Sequence, residues 1–167
     1  MITKDQFIGS LNHELTVIQH LATKLTPEML EYRPSPAQRS TLELMQYLGH
    51  IFTTCITLNL NGSSAGYPEL FAVGATVNFE NFQEKIEAQK ADIAARIGAL
   101  TDEELAEVYE MFGATFPRAV HLLGVMNIAS AYKMQLFLYI KANGVTTIGT
   151  ANLWGGYDMP AKDPVTV

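Results

Sequence analysis

From Leu44 to Pro68 the chain carries no formally charged residue. Much of that run reads as a helix. Ser40-Thr41-Leu42-Glu43 is a capping box, whose hydroxyl and carboxylate satisfy backbone N–H groups at a helix start, and Asn61-Gly62 is a stop signal. The pattern predicts a helix over about 41–60. A helix open to solvent shows a charged face, so this one must be covered nearly all round, by a bundle, by a second subunit, or by both. At roughly 100° per residue, its main apolar stripe is Leu44, Leu48, Ile51, Cys55 and Leu58. Beside it lies a polar but uncharged stripe of Tyr47, His50, Thr53, Thr54 and Thr57, which suits a pocket wall better than open water.

Helical periodicity recurs along the rest of the chain. Phe7, Leu11, Leu15, Ile18, Ala22 and Leu25 make one stripe after the capping box Thr3-Lys4-Asp5-Gln6, so a first helix is expected over about 4–25. Phe79, Phe82, Ile86, Ile93 and Ile97 define a third helix over about 78–99. Thr101-Asp102-Glu103-Glu104 caps a shorter piece, and the chain from Leu105 to Phe116 begins helical and then turns extended. A fourth helix is expected over about 117–142, with an irregular tail over 145–167. Four long amphipathic segments and no convincing set of strands predict an all-α fold, a single antiparallel four-helix bundle over residues 1–167. The connection between the second and third helices is long enough for a crossover.

Composition narrows the function. The net charge is −6 and no Lys/Arg cluster occurs, so the basic face that nucleic-acid binding needs is missing. Leu44–Leu60 and Ala119–Ile140 are apolar, but Gln46, His50 and Asn59 in the first and His121, Asn127, Lys133 and Gln135 in the second are costly in lipid, so no membrane association is expected. Met1–Asp5 lacks the basic start and apolar core of a secretory leader, and the single cysteine, Cys55, suits a reducing cytoplasm.

The fourth helix places His121, Val125, Ile128, Tyr132, Gln135 and Tyr139 on one face, again polar and largely uncharged. Two such faces meeting inside a bundle enclose a cavity with hydrogen-bonding walls. The run Leu42-Glu43-Leu44-Met45-Gln46-Tyr47-Leu48-Gly49-His50-Ile51 resembles the helix 2 signature of the DinB-like, or YfiT-like, superfamily. Tyr132-Lys133-Met134-Gln135-Leu136 resembles the end of that family's helix 4 motif, and the layout of helices matches over roughly residues 5–142. The resemblance implies a homodimeric bundle with a divalent metal, zinc or nickel, held by three histidines, and thiol-transfer or isomerase chemistry on a metal-activated thiol. His50 matches the ligand of helix 2. Ile128 and Tyr132 stand at the two positions of helix 4, and one histidine does not make a tight site.

The expected pocket therefore comprises His50, Tyr132, Gln135, His121, Tyr47 and Trp154, with His50 as the candidate metal ligand. Trp154 enters because Asn152–Asp158 looks like an aromatic turn packing back on the bundle, over the pocket mouth or as a plain anchor. The plainer reading of His50 is a buried histidine bonded to a threonine or tyrosine, and that of His121 is a core or interface residue. His13 and His20 read as surface residues, Cys55 as a small buried hydrophobe, and Glu14 as a carboxylate needing a partner on an apolar stripe. Three functions follow: a DinB-like protein with a degenerate metal site binding a small molecule, a metal-dependent thiol S-transferase or hydrolase remodelled around His50 and His121, and a non-enzymatic dimeric module.

Overall fold

The computed structural model describes residues 2–160; the expected tail beyond Pro160 lies outside them. Seven helices follow in chain order: α1 (Lys4–Ala22), α2 (Thr41–Leu48), α3 (Ile51–Asn61), α4 (Tyr67–Ala72), α5 (Phe82–Gly98), α6 (Asp102–Ala106) and α7 (Arg118–Ala142). One antiparallel hairpin, β1 (Val108–Met111) with β2 (Ala114–Pro117), stands between α6 and α7. Thr3, Ser40 and Thr101 form the three capping boxes read from the sequence. Phe112 and Gly113 both have positive φ, the two-residue turn that matches the twist of a hairpin.

Four helical columns surround one core: α1, the α2–α3 pair, α5 and α7. α1 packs on α5 and α7, and α3 packs on the same two, so α1 and the α2–α3 column occupy opposite corners. The second and third columns are therefore neighbours. The diagonal passages are the first connection, residues 23–40, and the third, which α6 and the hairpin fill. The crossover sits on either side of the connection where the sequence suggested it.

Helix ends depart from expectation for local reasons. α1 stops at Ala22 because the Thr23 hydroxyl bonds the His20 carbonyl at 2.6 Å and the next amides tighten to i→i−3 bonds. The third column begins at Phe82. Asn78 and Asn81 exchange side-chain-to-backbone bonds of 2.9 Å each way, which stabilises a turn in place of helix.

The largest departure is the break in the second column. The backbone leaves the helix at Gly49 and His50, the latter at φ −139° and ψ −23°, and resumes at Ile51. Two glycines and one glutamine hold the break. A Cβ on Gly49 would lie 2.7 Å from a Val77 methyl, and one on Gly74 would lie 2.7 Å from the His50 ring. Their absence lets the segment Val73–Val77 press against the break. On the other side Gln89 of α5, 4% exposed, takes both freed amides on its carbonyl oxygen, Phe52 at 3.1 Å and Thr53 at 3.2 Å. Its NH₂ donates to the Leu48 carbonyl at 2.9 Å. Three backbone groups that the break orphans are thus satisfied by one side chain.

Candidate functional site

At the break His50 lines a cavity of about 310 Å³, together with Arg39, Glu43, Gln46, Tyr47, Phe71, Ala72, Gly74 and Ala75. Its aromatic wall is continuous. The Tyr47 ring lies 4.6 Å from Tyr132 and 6.2 Å from His50, and Phe71 meets His50 edge-on at 5.1 Å. Arg39, just ahead of the α2 cap, lays its guanidinium over Tyr47 at 4.3 Å, with Tyr132 at 5.6 Å and its hydroxyl 3.5 Å from Nη1. Glu43 is already committed: it accepts from the Ser40 amide at 2.7 Å and pairs with Arg33 at 3.0 Å. That pairing, with the Ser40 amide, holds its carboxyl below the usual range.

The electrostatics follow from burial. His50 is 5% exposed, and loss of hydration pushes its pKa below the ordinary 6.5, so the ring is neutral near pH 7. Burial, with Tyr132 close by, pushes the Tyr47 phenol up, so it stays protonated. Around this cavity the permanent cations are Arg39 and the already paired Arg33.

Of the residues expected to share a pocket, His50 and Tyr47 line the cavity, Tyr132 packs on Tyr47 without lining it, and the rest lie apart. Gln135 stands further along α7, donating to the Tyr139 hydroxyl at 2.6 Å, which donates in turn to the Arg39 carbonyl at 2.9 Å. It supports the loop that carries Arg39. His121 lies in a different cavity, beside Cys55, Ile128 and Phe116, stacked on Tyr109 at 4.6 Å and donating to the Tyr109 carbonyl at 3.2 Å. About three turns of helix separate it from Tyr132, and it anchors the hairpin.

Trp154 does not cover the pocket mouth. Ala151–Gly155 form a single wide helical turn that packs on α1 and α7. The Trp154 ring sits 4.5 Å from Lys133 Nζ, and its carbonyl accepts from His13 Nε2 at 2.7 Å. Lys133, one residue past Tyr132, points to a different side of α7. His13 is exposed, as expected, whereas His20 is partly buried. The His20 Nε2 accepts from the Asn152 amide at 2.9 Å, and Asn152 also donates to Asp158, which pairs with Lys24 at 2.6 Å. Glu14 finds its partner in Lys133 at 2.7 Å. That approach falls outside hydrogen-bonding angles, so charge holds the pair more than a directed bond does.

The donor set does not fit a divalent metal. The His50 Nδ1 and the Thr54 hydroxyl share a hydrogen bond of 3.0 Å, the bond the plainer reading anticipated. The Nε2 edge faces Gly74, where an added Cβ would lie only 2.9 Å away. Ile128 offers no donor, and Tyr132 offers a phenol in contact with a guanidinium. Among the described residues no group of three or more His, Cys, Asp or Glu side chains converges on a point. No described helix is long and apolar enough to cross a membrane.

Arg39 and Phe71 are the site residues that sequence reasoning missed. Arg39 stands in a proline-containing loop that carries no helical period. Phe71 follows Tyr67-Pro68, and proline in a first helical turn is the signal that would have revealed α4.

No protein-family profile matches the chain, and no curated protein does. Solved structures do. A DinB-like protein of Bacillus subtilis, YjoA, is 19% identical with a TM-score of 0.69, covering 87% of this chain and 96% of its own. A DinB-like protein of Bacillus cereus is 16% identical with a TM-score of 0.68, over the same shares of the two chains. The chain has the DinB-like fold.

Proposed function

We propose that this DinB-like chain binds a small organic molecule in the aromatic cavity beside the helix break, and that it does so without a metal ion. One observation carries the reading. The histidine at the remaining metal-ligand position has Nδ1 bonded to Thr54 and its Nε2 edge facing Gly74, while the positions that would complete a metal site hold Ile128 and Tyr132. What remains is a cavity of the size that encloses small ligands, walled by rings and edged by one guanidinium.

Elemental analysis of tag-free protein, wild type beside His50→Ala, tests this. The expected result is no stoichiometric metal in either protein. Zinc or nickel near one per chain, lost in the variant, would sink the reading and restore the metal-dependent thiol transferase. Ligand binding is read separately, as thermal stabilisation by mass action.

A second reading, a homodimer, is favoured by one surface. Phe112, Phe116, Val120 and Leu123 are all exposed along the hairpin turn, β2 and the first turns of α7. Apolar patches of that kind mark association surfaces. Light scattering across a dilution series is expected to give twice the chain mass, and Phe116→Glu to return the monomer.

A further inference from the structure

We infer that the ligand of the aromatic cavity is a monocarboxylate with an apolar, ring-sized body, its carboxylate seated on Arg39. This inference rests on the reading of the cavity as a small-molecule site and names the chemistry it selects.

Arg39 is the reason. Its guanidinium has five N–H donors in a fixed fork. Among the described residues it has no carboxylate within 4.0 Å, and its one side-chain hydrogen bond is the long contact to Tyr132. The cation–π contact with Tyr47 seats the fork at the cavity edge, which removes rotamer freedom before any ligand arrives. An arginine pre-positioned in this way matches a carboxylate through paired N–H···O bonds.

The surrounding charges limit the anion to one negative charge. Glu43 and Arg33 cancel across their 3.0 Å bridge, and His50 is neutral, so the wall presents a net single positive charge. A phosphate dianion would leave charge uncompensated against rings that cannot solvate it. The rest of the wall, Tyr47, His50, Phe71 and Ala72, offers flat apolar faces for one ring. The cavity's 310 Å³ corresponds to about ten water volumes, enough for a ring and a carboxylate.

Benzoate and benzamide, isosteres that differ in charge, are the probes. Binding to the full chain is measured by titration calorimetry and by thermal shift. The wild type is expected to bind benzoate roughly tenfold or more tightly than benzamide, the difference made by charged hydrogen bonds. Arg39→Gln should abolish that preference, weakening benzoate far more than benzamide, and Arg39→Lys should restore it only in part. Ala72→Phe, which fills the cavity from an exposed position, should remove both ligands. Unfolding midpoints of the variants confirm that each is folded. Equal binding of the two probes, both lost in Ala72→Phe, would overturn the carboxylate inference and leave the cavity reading standing. Binding of neither probe to the wild type would overturn both. A benzoate preference that survives in Arg39→Gln would show that another group selects the charge and would refute the role of Arg39.

Discussion

Replacing Gln89 with leucine keeps most of the side chain's volume and removes every polar atom that reaches the helix break. The Phe52 and Thr53 amides and the Leu48 carbonyl then lose their partner. All three sit around a side chain only 4% exposed, so water has no open path to them. At about 1–1.5 kcal/mol for each bond lost, Gln89→Leu should cost about 3–5 kcal/mol. For a chain of this size that is a fall in melting temperature of roughly 10 °C. Urea unfolding is the assay, with the midpoint moving and the m-value unchanged. A loss under about 1 kcal/mol would refute the argument. It would mean that the column closes into one straight helix when the glutamine is gone, and that the break is not held by Val77 against Gly49. Gln89→Glu is a useful companion: its carboxylate accepts from both amides but cannot donate to Leu48 until it is protonated. Burial raises its folded pKa above the unfolded one, so its deficit against wild type should shrink as pH falls.

Other outcomes follow from the same contacts. Lys133→Met should cost about 3–5 kcal/mol by stranding the Glu14 carboxylate, and Glu14→Leu in the same chain should recover most of it, read by a double-mutant cycle in urea. His50 is buried neutral with its pKa below 6.5, so its contribution to stability is complete above that pH and is lost as pH falls through the folded value. Melting temperatures between pH 7.5 and 5 should therefore decline, and His50→Gln should flatten part of that slope. The Cys55 thiol, pushed up to about 11 by burial, should alkylate at least 100-fold more slowly than a free thiol at pH 8, followed by mass spectrometry with iodoacetamide.

Much of this fold was legible because the signals were local. The capping boxes at Thr3, Ser40 and Thr101 act within a few residues, and the stripe from Phe7 to Leu25 reports burial whatever buries it. The break at Gly49 was not legible, since an isolated glycine inside a helical pattern is ordinarily tolerated and the residues that exploit it, Val77 and Gln89, lie far along the chain. Helical spacing put His121, Tyr132 and Gln135 on one face, but a single face of a long helix passes two cavities and a loop contact, and spacing along the axis decides which. Glu14 was read as needing a partner. Its partner proved to be Lys133, whose burial no pattern of charged residues announces. Arg39 was missed because its role is set by Tyr47 and Tyr132 in two other segments.

The diagonal placement of α1 also bears on how the chain is made. The helix packs on α5, α7 and the 151–155 turn, all later in the sequence, and not on the column that directly follows it. Its stripe of Phe7, Leu11, Leu15 and Ile18 therefore lacks most of its native cover while α2, α3 and α4 emerge from the ribosome. Elongation from Ala22 to Gly98 takes roughly 4–15 s, which is long beside the microseconds in which a nascent helix forms and collapses. For that interval a strongly apolar, early-formed helix is exposed to any chaperone or neighbouring chain, and slowing translation ahead of α5 should lower the soluble yield more than slowing it ahead of α2.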